Sequence, residues 1–227
     1  MKDTWSVFDI IGPVMVGPSS SHTAGACKIG YMARHILGDI PDKATIKLHG
    51  SFGEVFEGHC TDTAIIGGLL GMIPSDENLP LAYEKAKELG MEIDMESVNL
   101  GSHLHPNTVQ LTLEKNGISH TITGSSLGGG SVNIIEIDKI EILLNGSFSS
   151  LLIHFESDAC PLKNILELLT ALPQTLVRTE TKDNKNLSLF HAEIREAEID
   201  EEIFKKMAKM PGVQWASFVP HISHYHF

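Results

Sequence analysis

Residues 151–219 decide the fold class, and their sequence is LLIHFESDACPLKNILELLTALPQTLVRTETKDNKNLSLFHAEIREAEIDEEIFKKMAKMPGVQWASFV. Hydrophobic periodicity predicts six elements in this order: strand 151–156, helix 162–172, strand 174–181, strand 187–195, helix 200–209 and strand 213–219. We predict a turn at Asp183-Asn184, between the two middle strands. The β-α-β-β-α-β order is the ferredoxin-like pattern. The C-terminal part of the chain is therefore predicted to be a ferredoxin-like α+β unit.

The composition changes immediately before this unit. Gly146-Ser147-Phe148-Ser149-Ser150 is rich in glycine and serine, which is typical of a linker. With 227 residues the chain is long enough for two domains. We therefore expect one domain over 1–148 and a second over 149–227. The first is also predicted to be α+β, with helices at 24–37 and 61–72 and a hairpin around Asn116-Gly117.

Charge and cysteine content exclude several classes of protein. The net charge of −12 argues against nucleic-acid binding, which needs clustered Lys and Arg. The sequence contains neither an apolar run of about 18 residues nor a signal-peptide pattern, so no membrane partner is expected. Three widely separated cysteines, Cys27, Cys60 and Cys160, suggest free thiols in a reducing cytoplasm. Without a Cys-x-x-Cys unit they form a poor ligand set for zinc or iron–sulfur.

A second informative stretch is GPSSSHTAGA, residues 17–26. A Gly-Pro turn leads into three serines and His22, and then into the start of a predicted helix. Free amide N–H groups at a helix start, joined by serine hydroxyls, can hold a carboxylate or a phosphate. His22 carries a charge that can change near neutral pH. Helix capping needs only one such hydroxyl, so we interpret this stretch as a binding site.

Three further segments combine glycine, hydroxyl groups, histidine and aspartate. They are GHCTD at 58–62, HLHPNT at 103–108 and GSSLGGGS at 124–131. Together with the serines they could surround a small polar acid. Two other interpretations stay open: capping explains Thr61 and Asp62, and the pairs His59-x-x-Asp62 and His103-x-His105 have metal-ligand spacing. A Ser-His nucleophile is disfavoured, because the sequence has no Gly-x-Ser-x-Gly elbow.

Taken together and in this order, the four segments resemble the β subunit of bacterial iron–sulfur-dependent L-serine dehydratases. The resemblance covers nearly the whole chain. It implies a first domain like the allosteric substrate-binding domain of some D-3-phosphoglycerate dehydrogenases, followed by an ACT domain. It also implies the L-serine ammonia-lyase reaction, which gives pyruvate and ammonia and feeds serine catabolism and gluconeogenesis. A partner α subunit would ligate the [4Fe-4S] cluster, whose iron acts as a Lewis acid on the substrate hydroxyl.

The resemblance also implies roles for particular residues, with the catalytic base belonging to either subunit. Proton handling would fall to His22 or His59, and Asp62 is the third predicted catalytic residue. The predicted substrate-binding residues are Ser19, Ser20, Ser21, Thr23, Asn107, Gly128, Gly129 and Gly130. No metal ligand is expected in this chain. Homodimerisation through either domain is also possible.

Two positions depart from the family pattern. Cys60 stands where the family usually has glycine. In Asp158-Ala159-Cys160-Pro161-Leu162, Leu162 replaces the glycine found in many amino-acid-binding ACT domains. Its side chain could crowd an effector pocket, which argues against serine regulation through this unit and leaves an architectural role open. Two alternatives follow: a purely regulatory amino-acid-binding subunit, and a zinc hydrolase using His59, Asp62, His103 and His105.

Overall fold

Two β-sheets organise the part of the chain that the structure, a computed structural model, describes. That part comprises residues 13–56, 58–158, 161–170, 176–184, 187–195 and 198–222. The N-terminal helices are α1 (Ala26–Leu37), α2 (Ser51–Glu54), α3 (Thr61–Leu69) and α4 (Ala82–Glu88). A π-helical turn, Ser20–Gly25, precedes α1, and a 3-10 turn, Leu79–Leu81, precedes α4. The N-terminal strands are β1 (Lys43–His49), β2 (Glu92–Val98), β3 (Thr108–Lys115), β4 (Ile118–Gly128), β5 (Ser131–Ile137) and β6 (Ile140–Leu144).

These six strands form one sheet in the order β2-β1-β3-β4-β5-β6. β1 and β2 are parallel, and the other neighbours are antiparallel. The predicted hairpin is confirmed: β3 and β4 meet at Asn116 and Gly117, both with positive φ, as a type I′ turn requires. Alternate residues such as Ile46, Leu48 and Leu111 point into an aliphatic core that includes α1 and α3.

The two core helices α1 and α3 approach each other at glycine. A Cβ at Gly30 would collide with the backbone of Ile65, and one at Gly68 with the backbone of Cys27 and Tyr31. Neither glycine has a positive φ, so close approach is the reason for glycine here. Since the serine stretch leads into α1 and His59 precedes α3, this contact sets the distance between them.

The C-terminal part of the chain, from Ser149 onward, forms the second sheet. Its elements are β7 (Ser149–Glu156), α5 (Leu162–Thr170), β8 (Leu176–Asn184), β9 (Leu187–Ile194), α6 (Glu201–Ala208) and β10 (Val213–Val219). The strand order is β10-β7-β9-β8, with all neighbours antiparallel, as expected for a ferredoxin-like βαββαβ unit. The α+β class is therefore confirmed. The predicted turn was placed wrongly, because Asp183 and Asn184 pair with β9 as the last residues of β8.

The two sheets share buried apolar residues. One face of the second sheet packs against α5 and α6 through side chains such as Ile153, Phe155 and Phe190. The opposite face contributes Leu152 and Leu189 to the core around α1 and α3. The predicted boundary at residue 148 lies in the connection between β6 and β7 and stays a prediction. None of the helices in the described ranges is long and apolar enough to cross a membrane.

The sequence did not predict strand β2. Its residues alternate between acidic side chains, Glu92, Asp94 and Glu96, and half-buried apolar ones. Acidic residues are depleted in strands, so the propensity of EIDMESV was low. β2 forms the outer strand of the sheet, where water solvates the acidic side chains. Its register comes from pairing with β1, a contact that local sequence does not encode.

One buried histidine gives the stability of the chain a dependence on pH. Burial, followed by the nearby Arg34, lowers the pKa of His35 on α1 to about 4. Between pH 6.5 and 4 the unfolded chain binds a proton there that the folded chain does not, so stability falls as pH falls. Since His35 is only partly buried, solvent screens part of the effect, and we expect a loss of about 2 kcal/mol from this group, less than the full shift implies.

Urea unfolding at pH 7.5 and at pH 4.5, followed by circular dichroism, measures this loss. His35→Gln should lose about 2 kcal/mol less than the unmodified chain over the same interval. The pKa values of His154 and His191 are also lowered, mainly by burial, so the variant keeps part of the dependence. If the two proteins lost the same free energy of unfolding between these pH values, His35 would not be a cause of the pH dependence.

Candidate functional site

The serine loop, residues 19–25, opens the candidate site. Ser19 is extended, and its Oγ accepts a hydrogen bond from the His22 amide at 3.1 Å. Its carbonyl accepts from the amides of Thr23 and Ala24 at 2.8 and 3.3 Å. The loop then continues as a π-helical turn into α1, an irregularity that is frequent at functional sites. Ser19 thus accepts hydrogen bonds from the amides of His22, Thr23 and Ala24. The amides of Ser20 and Ser21 have no acceptor among the described residues.

His22 is held at both ring nitrogens. Nδ1 lies 3.0 Å from Ser21 Oγ, and Nε2 lies 3.0 Å from Ser51 Oγ at the start of α2. The edge of Phe52 packs against the ring, with centroids 5.3 Å apart. A serine hydroxyl can donate or accept, so either neutral tautomer of His22 fits. The arrangement fixes the ring plane and leaves its protonation free to change.

Electrostatics favour the neutral form of His22. Burial, followed by the nearby His59, lowers its pKa below the usual 6.5. The two imidazole centroids are 5.1 Å apart, close enough for two positive charges to repel. At neutral pH the ring is therefore mostly uncharged, which is the state that accepts a proton.

Sequence reasoning missed Ser51. Gly50-Ser51 reads as an ordinary turn after β1, and a lone serine in a turn carries no functional signal. Gly50 has φ +55, and its Cα lies so close to Pro106 that an added Cβ would be 2.8 Å from the Pro106 carbonyl oxygen. This close approach directs α2, and with it Ser51, toward His22. The sequence signal that could have indicated Ser51 was a glycine immediately before a hydroxyl residue at the end of a strand.

His59 and Thr23 connect the start of α3 to the serine loop. Thr23 Oγ1 donates to the His59 carbonyl at 3.0 Å, and the His59 side chain is exposed. The next residue, Cys60, is left-handed with φ +56. This conformation costs a residue other than glycine about 1–2 kcal/mol, which explains the glycine that the family pattern usually has there.

Asp62 has hydrogen-bond partners other than the two histidines. Its carboxylate accepts hydrogen bonds from Tyr83 Oη at 3.1 Å and from Thr63 Oγ1 at 3.4 Å. Asp62 belongs to the first turn of α3, where a negative charge suits the helix dipole. Among the described contacts none joins it to His22 or His59. No described hydrogen bond therefore links Asp62 to the serine–histidine cluster, and its catalytic role stays a prediction.

Asn107 follows the segment that packs on Gly50. The Phe52 amide donates to the Pro106 carbonyl at 3.4 Å, and the Asn107 carbonyl accepts from the Ser126 amide at 2.9 Å. Ser126 in turn lies so close to Gly25 that a Cβ there would collide with its hydroxyl. The 105–107 segment is thereby placed between α2 and the serine loop.

The predicted glycine residues form the turn between β4 and β5. Gly128, Gly129 and Gly130 have φ values of +98°, +59° and +78°, which side chains other than glycine rarely adopt. Gly130 packs against Pro13, and its carbonyl accepts from Lys28 at 3.0 Å. No described hydrogen bond links the three to Ser19, Ser21 or His22. The turn lies beyond Ser126, which itself touches the serine loop.

The cysteines and histidines of the described part do not fit a metal or a cluster. Burial raises the pKa of Cys27 to about 12, and its thiol donates to the Met72 carbonyl. A metal-ligating cysteine must be deprotonated, and this environment opposes that. Cys160 lies outside the described residues. Within them no three His, Cys, Asp or Glu side chains are placed to share a metal, so the proposed zinc set is not assembled.

Comparison with known proteins shows the family to which the chain belongs. The model of the serine dehydratase β chain family matches residues 6–136. The chain belongs to this family. It is 39% identical to the "L-serine dehydratase, beta chain" of Peptoniphilus asaccharolyticus, over 80% of this chain and 82% of that one. It is 37% identical to the "Probable L-serine dehydratase, beta chain" of Bacillus subtilis, over 92% and 94%. Among other relatives, "L-serine dehydratase 2" of Escherichia coli shares 43% identity over 75 residues.

The region that the family model matches covers most of the candidate site. Residues 6–136 include the serine loop, Ser51, His59, Asn107 and the glycine turn. The ferredoxin-like unit begins at Ser149, beyond the end of that match. The two relatives aligned over at least 80% of the chain are both named as β chains.

Proposed function

We propose that this chain is the β subunit of an L-serine dehydratase and forms one wall of the site that converts L-serine to pyruvate and ammonia. The observation that carries the proposal is His22, held between the Ser21 and Ser51 hydroxyls with its pKa lowered. A structural histidine at a helix start does not need hydroxyl partners on both nitrogens and a second imidazole 5.1 Å away. For a group that handles protons near neutral pH, such partners and such a neighbour have a purpose.

In this proposal each residue of the wall has a role that suits its chemistry. The free amides of Ser20 and Ser21, with the Ser20 hydroxyl, would bind the substrate carboxylate. Neutral His22 would take part in a proton relay through the Ser21 or Ser51 hydroxyl: as one hydroxyl takes up a proton from the substrate side, it passes its own proton to the unprotonated ring nitrogen. His59, exposed beside it, would move protons to solvent. The other predicted binding residues, Thr23, Asn107 and the glycines, would shape the wall from behind.

The iron–sulfur cluster belongs, in this proposal, to a partner α subunit. The buried Cys27 thiol, whose pKa is raised, does not suit a cluster ligand, and no three ligand side chains come together in the described part of the chain, so no step of the reaction is assigned to metal held by this chain. The ferredoxin-like unit would be an ACT domain with an architectural role, since Leu162 packs against its core at the start of α5. A cytoplasmic location and a place in serine catabolism and gluconeogenesis complete the proposal.

Reconstitution tests the proposed function. The purified β chain should be iron-free and inactive, and the α chain alone should form little pyruvate. When the two are mixed anaerobically and loaded with iron and sulfide, pyruvate should appear from L-serine at a rate that saturates with the β chain. An equal rate from the α chain alone would overturn the shared site.

Calorimetry separates the shared site from a purely regulatory subunit. The isolated β chain should not bind L-serine at micromolar concentration, because the wall is only part of the site. Micromolar binding by this chain alone, together with a reaction rate that the β chain modulates without being required, would establish the regulatory alternative.

A further inference from the structure

Lys28 is a buried cation that the proposed reaction does not use. It lies in the first turn of α1, three residues after Gly25, and only 1% of its surface is exposed. Its Nζ donates to the Gly130 carbonyl at 3.0 Å, the one acceptor that the described residues offer it. A Cβ at Gly130 would lie 3.6 Å from the same nitrogen. The ammonium therefore sits directly against the glycine turn.

This placement carries a cost in free energy. Removing an ammonium from water costs several kcal/mol unless it is well paired, and the partner here is a neutral carbonyl. Burial accordingly lowers the pKa of Lys28 to about 8. Residues that break local rules without a gain in stability are characteristic of functional sites.

The position of Lys28 indicates why the protein tolerates a buried ammonium group here. The end of β4 and the turn after it touch the serine-loop segment at two points, Ser126 against Gly25 and Gly130 against Lys28. Gly25 and Lys28 are one helical turn apart. One short stretch of chain therefore carries the serine loop and fixes the glycine turn.

We propose that Lys28 is a positioning residue that fastens the glycine turn to the helix behind the serine loop and thereby sets the width of the substrate wall. The inference rests on the proposed function, because it gives that wall a second structural support. Lys28 does not touch the substrate. Its loss should weaken substrate binding more than the chemical step, since the proton-handling group His22 keeps its own partners Ser21 and Ser51.

The test compares Lys28→Met with Lys28→Arg in the reconstituted complex. A hydrogen bond from a charged group favours the position that it holds by a factor of about ten or more, so a released turn would weaken substrate binding by up to about that factor. Lys28→Met should raise the KM for L-serine about tenfold and change kcat less than about threefold, and Lys28→Arg should restore most of the KM. Lys47→Met is the matched control, because Lys47 lies on β1 in an exposed ion pair with Glu96. It should leave both constants unchanged.

A second readout does not depend on activity. Hydrogen exchange of the amides of residues 128–131, measured by mass spectrometry on the isolated β chain, should be faster in Lys28→Met than in the unmodified protein. If Lys28→Met does not fold, Lys28→Gln, which keeps an N–H donor without the charge, takes its place in both measurements. Unchanged KM, or unchanged exchange in the turn, would overturn the proposal. An unmodified complex without activity would instead contradict the proposed function, and the exchange measurement would still decide whether Lys28 holds the turn.

Discussion

Gly68→Ala is expected to lower the free energy of unfolding by about 3 kcal/mol, the upper part of the range for overpacking a core. The added methyl group would collide with the backbone carbonyl of Cys27 and the amide nitrogen of Tyr31 on α1. Backbone atoms inside a helix cannot move aside separately, so α1 and α3 must separate. The gain of about 1 kcal/mol in helix propensity from alanine is smaller than this cost.

Thermal unfolding measures the effect, and Gly67→Ala is its matched control. The loss at Gly68 corresponds to a fall in Tm of roughly 6–12 °C for a chain of this size. At Gly67, in the same helix, the methyl group would meet the end of the flexible Leu79 side chain, which can turn away. We expect Gly67→Ala to change stability by less than about 1 kcal/mol. Equal effects at the two positions would contradict the assigned role of the backbone contact.

The same helix contact bears on the site. α1 continues from the serine loop, and α3 follows His59 and Cys60. Separating the helices would stretch the bond from Thr23 Oγ1 to the His59 carbonyl and increase the distance between the two imidazoles. Gly68→Ala should therefore reduce the activity of the reconstituted complex at temperatures where the variant is still folded.

Local sequence was sufficient where periodicity or turn chemistry determines the structure. The ferredoxin-like order follows from alternating apolar residues, and the hairpin follows from Asn116-Gly117, whose backbone favours positive φ. The serine loop was recognisable because capping needs fewer hydroxyls than it contains. Strand β2 was missed because its acidic residues resemble a loop, and only the pairing with β1 makes it a strand.

Tertiary contacts decide the rest of the site. Ser51 reaches His22 because Gly50 packs on Pro106, a contact across more than 50 residues. Lys28 reads as an exposed helix residue until the Gly130 carbonyl is placed above it. Asp62, which has the spacing of a partner for His59, instead bonds to Tyr83 on α4. Spacing along the chain indicates which residues share a segment, but the direction of each side chain depends on the element opposite.

His22→Ala is expected to lower kcat of the reconstituted complex by about 100-fold or more, the usual contribution of a general acid or base. The substitution removes the imidazole, and with it the 3.5 Å contact between Nδ1 and Ser19 Oγ, but it leaves the backbone cap in place, because the His22 amide still donates to Ser19 Oγ. The β chain should therefore still fold and bind its partner. Circular dichroism and co-purification with the α chain check both points.

Two further variants separate proton transfer from a structural role of His22. Ser51→Ala removes the partner of Nε2 and should lower kcat less than His22→Ala does, because Ser21 still holds Nδ1. His59→Gln removes a neighbour that lowers the pKa of His22, so that pKa should rise. Activity that needs neutral His22 is lost as pH falls through this pKa, and the acidic limb of the kcat profile should move to higher pH in His59→Gln. If the limb stays in place while His22→Ala is inactive, His22 orients the loop and the proton acceptor belongs to the partner subunit.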